Sequence, residues 1–345
     1  MADWMTSISR ADRRSMDKVQ RLLEQEGIRR DAHLDYTCGI FDDDELIATG
    51  SCFGNTIRCL AVSGEHRGEG LLNQVVSHLM EVQAARGNTH VFLYTKCAGT
   101  RFFADLGFYE IARVDGELVF MENRRTGFAD YCRALTQTRR EGRSAAVVMN
   151  ANPFTRGHLH LVERAAAEND TVHLFVLSEE AGPIPFAVRR RLVGEGVAHL
   201  PNVICHDSGP YIISAATFPS YFLRDAEAVS AAHAKLDLTV FGHIARALGV
   251  TVRYVGEEPD SGVTALYNRI MAERLPEVGV ACRVIPRLMA GDRVVSASTV
   301  RQAIHDGRLA AVADMLPPAT AAYFASAEAA PVIAAIQKQK DARHH

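Results

Sequence analysis

The chain has 345 residues, 48% of them hydrophobic, with 38 Lys and Arg against 41 Asp and Glu for a formal net charge of −3. That length allows two or three packed domains, and the near-neutral balance gives no footing for bulk binding of nucleic acid. No apolar run approaches the ~20 residues that cross a bilayer, Met1-Ala2-Asp3-Trp4 lacks the basic and apolar regions of a secretory leader, and the seven cysteines are scattered without a Cys-x-x-Cys pair, so the expected setting is a reduced cytoplasm with no membrane, no disulfide framework and no zinc site.

In chain order, residues 15–26 carry Met16, Val19, Leu22 and Leu23 at helical spacing, with Gly27 to end the helix. Residues 36–41 and 46–52 flank the acidic turn Asp42-Asp43-Asp44-Glu45 and read as a hairpin. These carboxylates read as a solvated turn, with metal binding the alternative. Residues 56–62 form a third strand. The loop Arg67-Gly68-Glu69-Gly70 then leads into an amphipathic helix bearing Leu72, Val75, Val76, Leu79 and Met80. A glycine-bearing loop before a helix exposes backbone N–H groups to an anion. Residues 91–94 are a strand, 100–106 a short helix, and 114–121 a hairpin around Asp115-Gly116. Residues 126–143 read as a polar helix or linker. The clusters at 10–14 and 139–143 read as solvated basic faces.

Residues 144–164 organise the second half. Residues 147–149 lie in an apolar run suited to a buried parallel strand, Asn152-Pro153 breaks it, and Leu159, Val162 and Ala166 recur at helical spacing. Thr155, Gly157 and His158 therefore sit at a helix start, where orphan N–H groups and the positive dipole end favour an anion. Residues 171–177 and 203–206 are further strands. Residues 186–200 are a helix whose Arg189, Arg190 and Arg191 read as surface, with reach to a triphosphate the alternative. The hydroxyls and aromatics of 208–223 suit a substrate-lining loop and core packing equally well. Residues 233–248 are helical and contain Asp237. Residues 251–255 are a strand ending in Gly256-Glu257-Glu258-Pro259. Glu257 or Glu258 there would hold a ribose hydroxyl or organise Mg²⁺, with an exposed loop the competing reading. Residues 263–274 and 280–285 read as helix and strand. Ser296, Ser298, Thr299 and Arg301 open another helix and make a second phosphate cradle. Residues 325–345 are Ala-rich, then basic, and read as helical.

Thr155-Arg156-Gly157-His158 resembles the Thr/His-x-Gly-His signature of the nucleotidyltransferase superfamily, and Ser296-Ala297-Ser298-Thr299-Val300-Arg301 resembles the Ser-x-Ser/Thr-x-x-Arg motif that accompanies it. The resemblance implies an α/β fold with a Rossmann-like parallel sheet. It also implies Thr155 and His158 at the α- and β-phosphates of a nucleotide, and Arg301 with backbone amides at the β- and γ-phosphates. Arg67-Gly68-Glu69-Gly70 and Phe102-Phe103-Ala104-Asp105-Leu106-Gly107-Phe108 resemble the pyrophosphate loop and late helix-to-strand motif of the GCN5-related N-acetyltransferases, an α+β fold. One departure is Leu72, where that family usually has Gly or Ala.

The fuller set of motifs is similar to the citrate lyase ligase family. It comprises residues 152–158, Tyr211 to Phe222, residues 255–259, Leu266-Tyr267-Asn268 and residues 295–301. That resemblance implies an ATP-dependent, AMP-forming ligase that activates acetate as acetyl-adenylate with Mg²⁺. The acetyl group would then pass to the thiol of the CoA-like prosthetic group on the citrate lyase acyl carrier subunit. It implies catalytic roles for Thr155, His158 and Arg301. It implies ATP and phosphate contacts from Asn150, Asn152, Phe154, Gly157, Gly256, Glu257, Ser296, Ser298 and Thr299. It implies contacts to the pantetheine-like arm from Arg67, Gly68 and Gly70. The expected organisation is an acetyltransferase-like domain at 1–125, a linker helix at 126–143 and a nucleotidyltransferase domain at 144–345. The rivals are an adenylyltransferase acting on pantetheine phosphate or nicotinamide mononucleotide, an acetyl-CoA-dependent acetyltransferase fused to an adenylyltransferase, and a non-enzymatic ATP-binding regulator. His66 and His160 are candidates for the thiol base, with surface or packing roles as the alternative.

Overall fold

Short, continuously buried strand segments build residues 4–122 into a sheet covered on both faces. In the computed structural model, which describes residues 4–180, 182–212, 214, 218, 219, 221, 226–257 and 262–339, the elements run β1 (Trp4–Ser7), α1 (Arg13–Gln25), β2 (Tyr36–Asp42), β3 (Glu45–Phe53), β4 (Thr56–Val62), α2 (Leu71–Ala85), β5 (Phe92–Thr95), α3 (Thr100–Asp105), β6 (Tyr109–Val114) and β7 (Leu118–Glu122). Strand order is β1-β2-β3-β4-β5-β7-β6. All pairs are antiparallel except β4 with β5. Successive residues face opposite sides. Ile40 and Ile47 pack with Val75, Val76 and Leu79 of α2, while their neighbours Phe41 and Leu46 pack with Val19, Leu22 and Leu23 of α1. The hairpin turn places Asp43 at φ 49°. Asp44 accepts from Arg14 and from Lys18, each at 2.6 Å, so the acidic cluster is a solvated, ion-paired turn.

The rest of the chain runs α4 (Gly127–Thr136), β8 (Ser144–Met149), α5 (Arg156–Glu168), β9 (Thr171–Val176), α6 (Phe186–Gly196), β10 (Val203–Asp207), α7 (Ala226–Leu248), β11 (Val252–Gly256), α8 (Gly262–Arg274), β12 (Ala281–Ile285), β13 (Met289–Ala290), β14 (Arg293–Val294), α9 (Ala297–His305), α10 (Pro318–Ala325) and α11 (Ala330–Gln337). Strands β10-β9-β8-β11-β12 form one parallel sheet. The strand order reverses between β8 and β11, and the crevice at the carboxyl ends of strands beside such a switch is where open α/β sheets bind ligands. Ala145, Val147 and Met149 of β8, Val162 and Ala165 of α5, and Val300, Ala303 and Ile304 of α9 share one core.

Two compact units result. One comprises 1–129 with 218–239, and the other 130–217 with 240–345. The excursion of 218–239 was not legible in the sequence, because it rests on non-local packing. Tyr221 is buried in the α1 core with Cys59 and Ala61. Its hydroxyl donates to the Tyr94 carbonyl at 3.4 Å, and its own carbonyl accepts from the Arg29 amide at 2.6 Å. Phe218 meets the Tyr94 ring edge-on at 5.9 Å. The four-residue β1, on one edge of the first sheet, was likewise not read from the sequence.

His173 of β9 and His206 of β10 face each other, Nδ1 to Nε2, at 2.9 Å, and both are buried. Burial lowers each pKa to about 4; the neighbouring His206 and Arg140 add to the effect at His173, and Arg190 adds to it at His206. A histidine whose folded pKa lies below its unfolded value of about 6.5 binds fewer protons folded than unfolded. Its stabilisation is therefore complete above pH 6.5 and is lost as pH falls toward 4. The urea midpoint of the full chain should fall from about pH 6.5 to about pH 4.5, above the range where most carboxylates titrate. The fall should be shallower in a His173→Gln, His206→Gln double variant.

Candidate functional site

The β8 run ends at Met149 and the chain turns through Asn150, Ala151 (φ 54°) and a cis Asn152-Pro153 bond into α5. Thr155 is the N-cap, its Oγ1 accepting from the His158 amide at 3.4 Å. A Glu or Gln usually closes such a capping box. Here His158 does so, its Nδ1 accepting from the Thr155 amide at 3.1 Å and lying 2.9 Å from Thr155 Oγ1. An Nδ1 that accepts from a backbone N–H carries no proton, so in the neutral ring the proton sits on Nε2, which can then donate to an anion. Burial, with the Arg301 charge in addition, lowers the His158 pKa to about 4. The ring is therefore a neutral donor at physiological pH. Phe154 is fully buried and stacks on that ring at 5.9 Å; it orients the imidazole from behind.

The second cradle lies against the first. Ser296 caps α9, accepting from the Thr299 amide at 3.1 Å, and its hydroxyl lies 3.0 Å from Ser298 Oγ and 2.7 Å from Thr299 Oγ1. Arg301, 3% exposed, donates from Nη1 to the Asn152 carbonyl at 2.5 Å. A Cβ at Gly157 would stand 3.2 Å from the Val295 carbonyl oxygen. Glycine at 157 thus admits the chain's own second motif, and the N-termini of α5 and α9 are brought side by side. Both Oδ1 and Nδ2 of Asn152 are buried without a hydrogen-bond partner among the described residues. Such orphaned atoms are costly unless a ligand or water meets them.

The remaining expected residues divide by position. Gly256 ends β11 with its carbonyl accepting from Asn268 at 3.4 Å; Glu257 is exposed, its amide donating to Ile285 and its carbonyl accepting from Arg287. Glu258 lies outside the described residues, as do Thr217, Ser220 and Phe222 of the hydroxyl and aromatic loop. Arg67, Gly68 and Gly70 belong to the other unit. Gly68 (φ 92°) and Gly70 (φ 79°) hold left-handed conformations, Gly70 caps α2, and Arg67 donates to Glu26. His66 bonds to Glu69 at 3.1 Å, and His160 lies along α5. The seven cysteines are free, and burial pushes Cys38 and Cys59 up to about 12.

The surface reading of the arginines of α6 holds for two and fails for the third. Arg190 pairs with Asp207 at 2.7 Å and Arg191 with Glu328 at 2.7 Å. Arg189 is 1% exposed. It donates from Nε to the Ile184 carbonyl at 3.0 Å and from Nη1 to the Asn150 carbonyl (2.8 Å), Asn150 Oδ1 (2.9 Å) and the Leu177 carbonyl (2.8 Å). Its Nη2 donates to the Glu179 carbonyl. The sequence held a signal for this: Arg189 stands three and four residues before Leu192 and Val193, on the same apolar helix face. Asn150 is thereby pinned by Arg189 through both its oxygens.

A parallel sheet with a strand-order switch between β8 and β11 and two capped helix starts packed together make this a Rossmann-like α/β domain. The family model for the citrate lyase ligase C-terminal domain matches residues 144–324. The chain is 36% identical over 329 residues to the [citrate [pro-3S]-lyase] ligase of Escherichia coli (strain K12), covering 93% of this chain and 94% of that one. It is 34% identical to that of Haemophilus influenzae, covering 91% and 96%, and 35% identical to that of Klebsiella pneumoniae, covering 91% and 93%. Among solved structures it is similar to an acyl-CoA N-acyltransferase from Pseudomonas aeruginosa, at 17% identity and TM-score 0.32 over 36% of this chain and all of that one. It is also similar to Escherichia coli ElaA, at 16% identity and TM-score 0.31 with the same coverage. The chain belongs to the citrate lyase ligase family and is a ligase.

Gly157→Val adds methyl groups where the Val295 carbonyl already approaches a virtual Cβ at 3.2 Å. It should separate α9 from α5 and lower the ligase activity roughly tenfold or more, because groups on the two helix starts act together only in correct register. Circular dichroism should show the helical content retained.

Proposed function

We propose that the chain joins acetate to the AMP of ATP with release of pyrophosphate, then passes the acetyl group to the thiol of the CoA-like prosthetic group on the citrate lyase acyl carrier protein. The observation that carries this reading is the juxtaposition of the two helix starts through Gly157 and Val295 and through Arg301 and Asn152. Two sets of orphan N–H groups beside a buried guanidinium and a neutral Nε2–H donor suit a polyphosphate and little else of ordinary metabolic chemistry.

In the first step an acetate oxygen attacks the α-phosphorus, and the bond from that phosphorus to the bridging oxygen of the β-phosphate breaks. The departing pyrophosphate takes the electron pair. Thr155 and His158 hold the α-phosphate, and His158 donates from Nε2 to the oxygen that gains charge. Arg301 and the first turn of α9 hold the leaving pyrophosphate. The orphaned Asn152 amide, 3% exposed, supplies a further polar contact to the bound nucleotide. Among the described residues no cluster of three His, Cys, Asp or Glu side chains is placed to cage a metal. Glu257, at the end of β11, would be the protein carboxylate offered to a Mg²⁺ ion that enters with ATP. When bound, that ion supplies charge neutralisation on the triphosphate.

In the second step the carrier thiolate attacks the acetyl carbonyl and AMP leaves. The loop Arg67-Gly68-Glu69-Gly70 of the first unit would hold the amide-bearing arm, with its two left-handed glycines exposing backbone N–H groups at the start of α2. A cytoplasmic setting fits the free thiols. No single helix among the described residues is long and apolar enough to cross a membrane.

Acetate-dependent exchange of labelled pyrophosphate into ATP, without carrier, tests the first step. His158→Ala should lower it by about 10²–10³ with the fold retained, the usual loss for a transition-state donor. Wild-type exchange in the folded variant refutes the assignment. Gly70→Glu should slow acetylation of the carrier thiol several-fold more than it slows exchange. Equal losses in both half-reactions would remove the first unit from arm binding.

A further inference from the structure

The side chain of Asn152 is buried, yet both its Oδ1 and its Nδ2 lack a hydrogen-bond partner among the described residues. A polar group this deep is costly when bare, and the cost is removed when a ligand meets it. What lies against this carboxamide is Gly182, on the connection between β9 and α6. A Cβ at Gly182 would collide with Asn152 Nδ2 and stand 2.9 Å from its Cγ and 3.4 Å from its Oδ1. These are the three nearest heavy atoms, and all belong to one side chain. Gly182 is not among the glycines in the left-handed region. Its backbone conformation is open to other residues, so the glycine answers to space alone.

Hydrogen bonds fix this close approach. Residues 182–185 lead directly into α6. Arg189 of that helix donates from Nε to the Ile184 carbonyl at 3.0 Å, and from Nη1 to the Asn150 carbonyl at 2.8 Å and Asn150 Oδ1 at 2.9 Å. One guanidinium thus ties the residues beside Gly182 to the residues beside Asn152. Ile184 is fully buried in the same core as Ala151 and Phe154. The Asn152 carbonyl accepts from Arg301 Nη1 at 2.5 Å. Asn152 is therefore held by its main chain against the second cradle and by its side chain against Gly182, with its carboxamide unspent. A carboxamide both accepts and donates, so it suits a ligand that carries phosphate oxygens and ribose hydroxyls. We propose that Gly182 is a positioning residue for ATP: having no side chain, it leaves the Asn152 carboxamide where the nucleotide meets it. The proposal rests on the nucleotide reading of the two cradles above. It gives a role in ATP binding to a residue that lies in neither phosphate motif.

The test uses the full chain and measures the Kd for ATP with Mg²⁺ by calorimetry, and the acetate KM in pyrophosphate exchange. Gly182→Ala should weaken ATP binding about tenfold, the scale of one buried hydrogen bond left unmade, with the acetate KM within about twofold. Asn152→Ala should weaken ATP binding at least as much. In the Asn152→Ala background, Gly182→Ala should cost nothing further, because the three atoms that its Cβ would meet are gone. Asn152→Leu separates this role from plain packing. It keeps the shape and removes the bare polar atoms, so the ligand-free urea midpoint should stay equal or rise while ATP binding weakens. Unchanged ATP affinity in folded Gly182→Ala, the same loss again when it is added to Asn152→Ala, or a lower midpoint in Asn152→Leu overturns the proposal. Should Gly182→Ala fail to fold, the double variant must fold, and its failure also overturns the proposal. A wild-type chain that binds ATP but exchanges no pyrophosphate with acetate removes the acyl-adenylate reading alone, since Gly182 is tested by ATP affinity. A wild-type chain that binds no ATP overturns both.

Discussion

The contact between the Arg301 guanidinium and the Asn152 carbonyl, with the close passage of Val295 past Gly157, joins two helix starts that lie far apart in sequence. Two positive dipole ends and a buried cation repel one another. They are kept together by the apolar core behind them, where Val300, Ala303 and Ile304 of α9 share a cluster with Val162 of α5 and Val147 of β8. Hydrophobic burial thus offsets an electrostatic cost, which a polyanion bound there would relieve. The same field explains why burial and Arg301 together lower the His158 pKa so far. A neutral imidazole with its proton on Nε2 adds a donor without a further positive charge.

The loops at the strand ends are held with comparable care. Arg189 is buried without an ion-pair partner among the described residues and is satisfied by carbonyls and one carboxamide oxygen. An arginine can be held this way because its fork presents donors in several directions at once and stays charged when buried. Two loops, the one after β8 and the one between β9 and α6, are fixed by that one side chain. Rigid first contacts of this kind keep reacting groups in register without depending on the substrate to order them.

Much of this was readable from local pattern. The helix and strand periodicities, the acidic hairpin turn ion-paired through Asp44, the strand-loop-helix around Thr155 and the cap at Ser296 all follow from residue order and short-range physics. Arg189 was misjudged as surface because an arginine on an apolar helix face more often extends to solvent than turns inward, and its acceptors are carbonyls from other elements. The passage of 218–239 into the first unit was invisible for the same kind of reason: Tyr221 reads as a generic aromatic until Cys59, Ala61 and the Tyr94 carbonyl are brought around it.

Sequence alone determined most element types, the two capped helix starts and the family to which they point, because caps, glycine spacing and apolar periods act within a few residues. Tertiary structure decided that Gly157 makes room for Val295, that Arg189 links Asn150 to Glu179, and which unit claims Tyr221. Each of those depends on groups tens to hundreds of residues apart meeting in a core. Only the packed chain specifies such meetings.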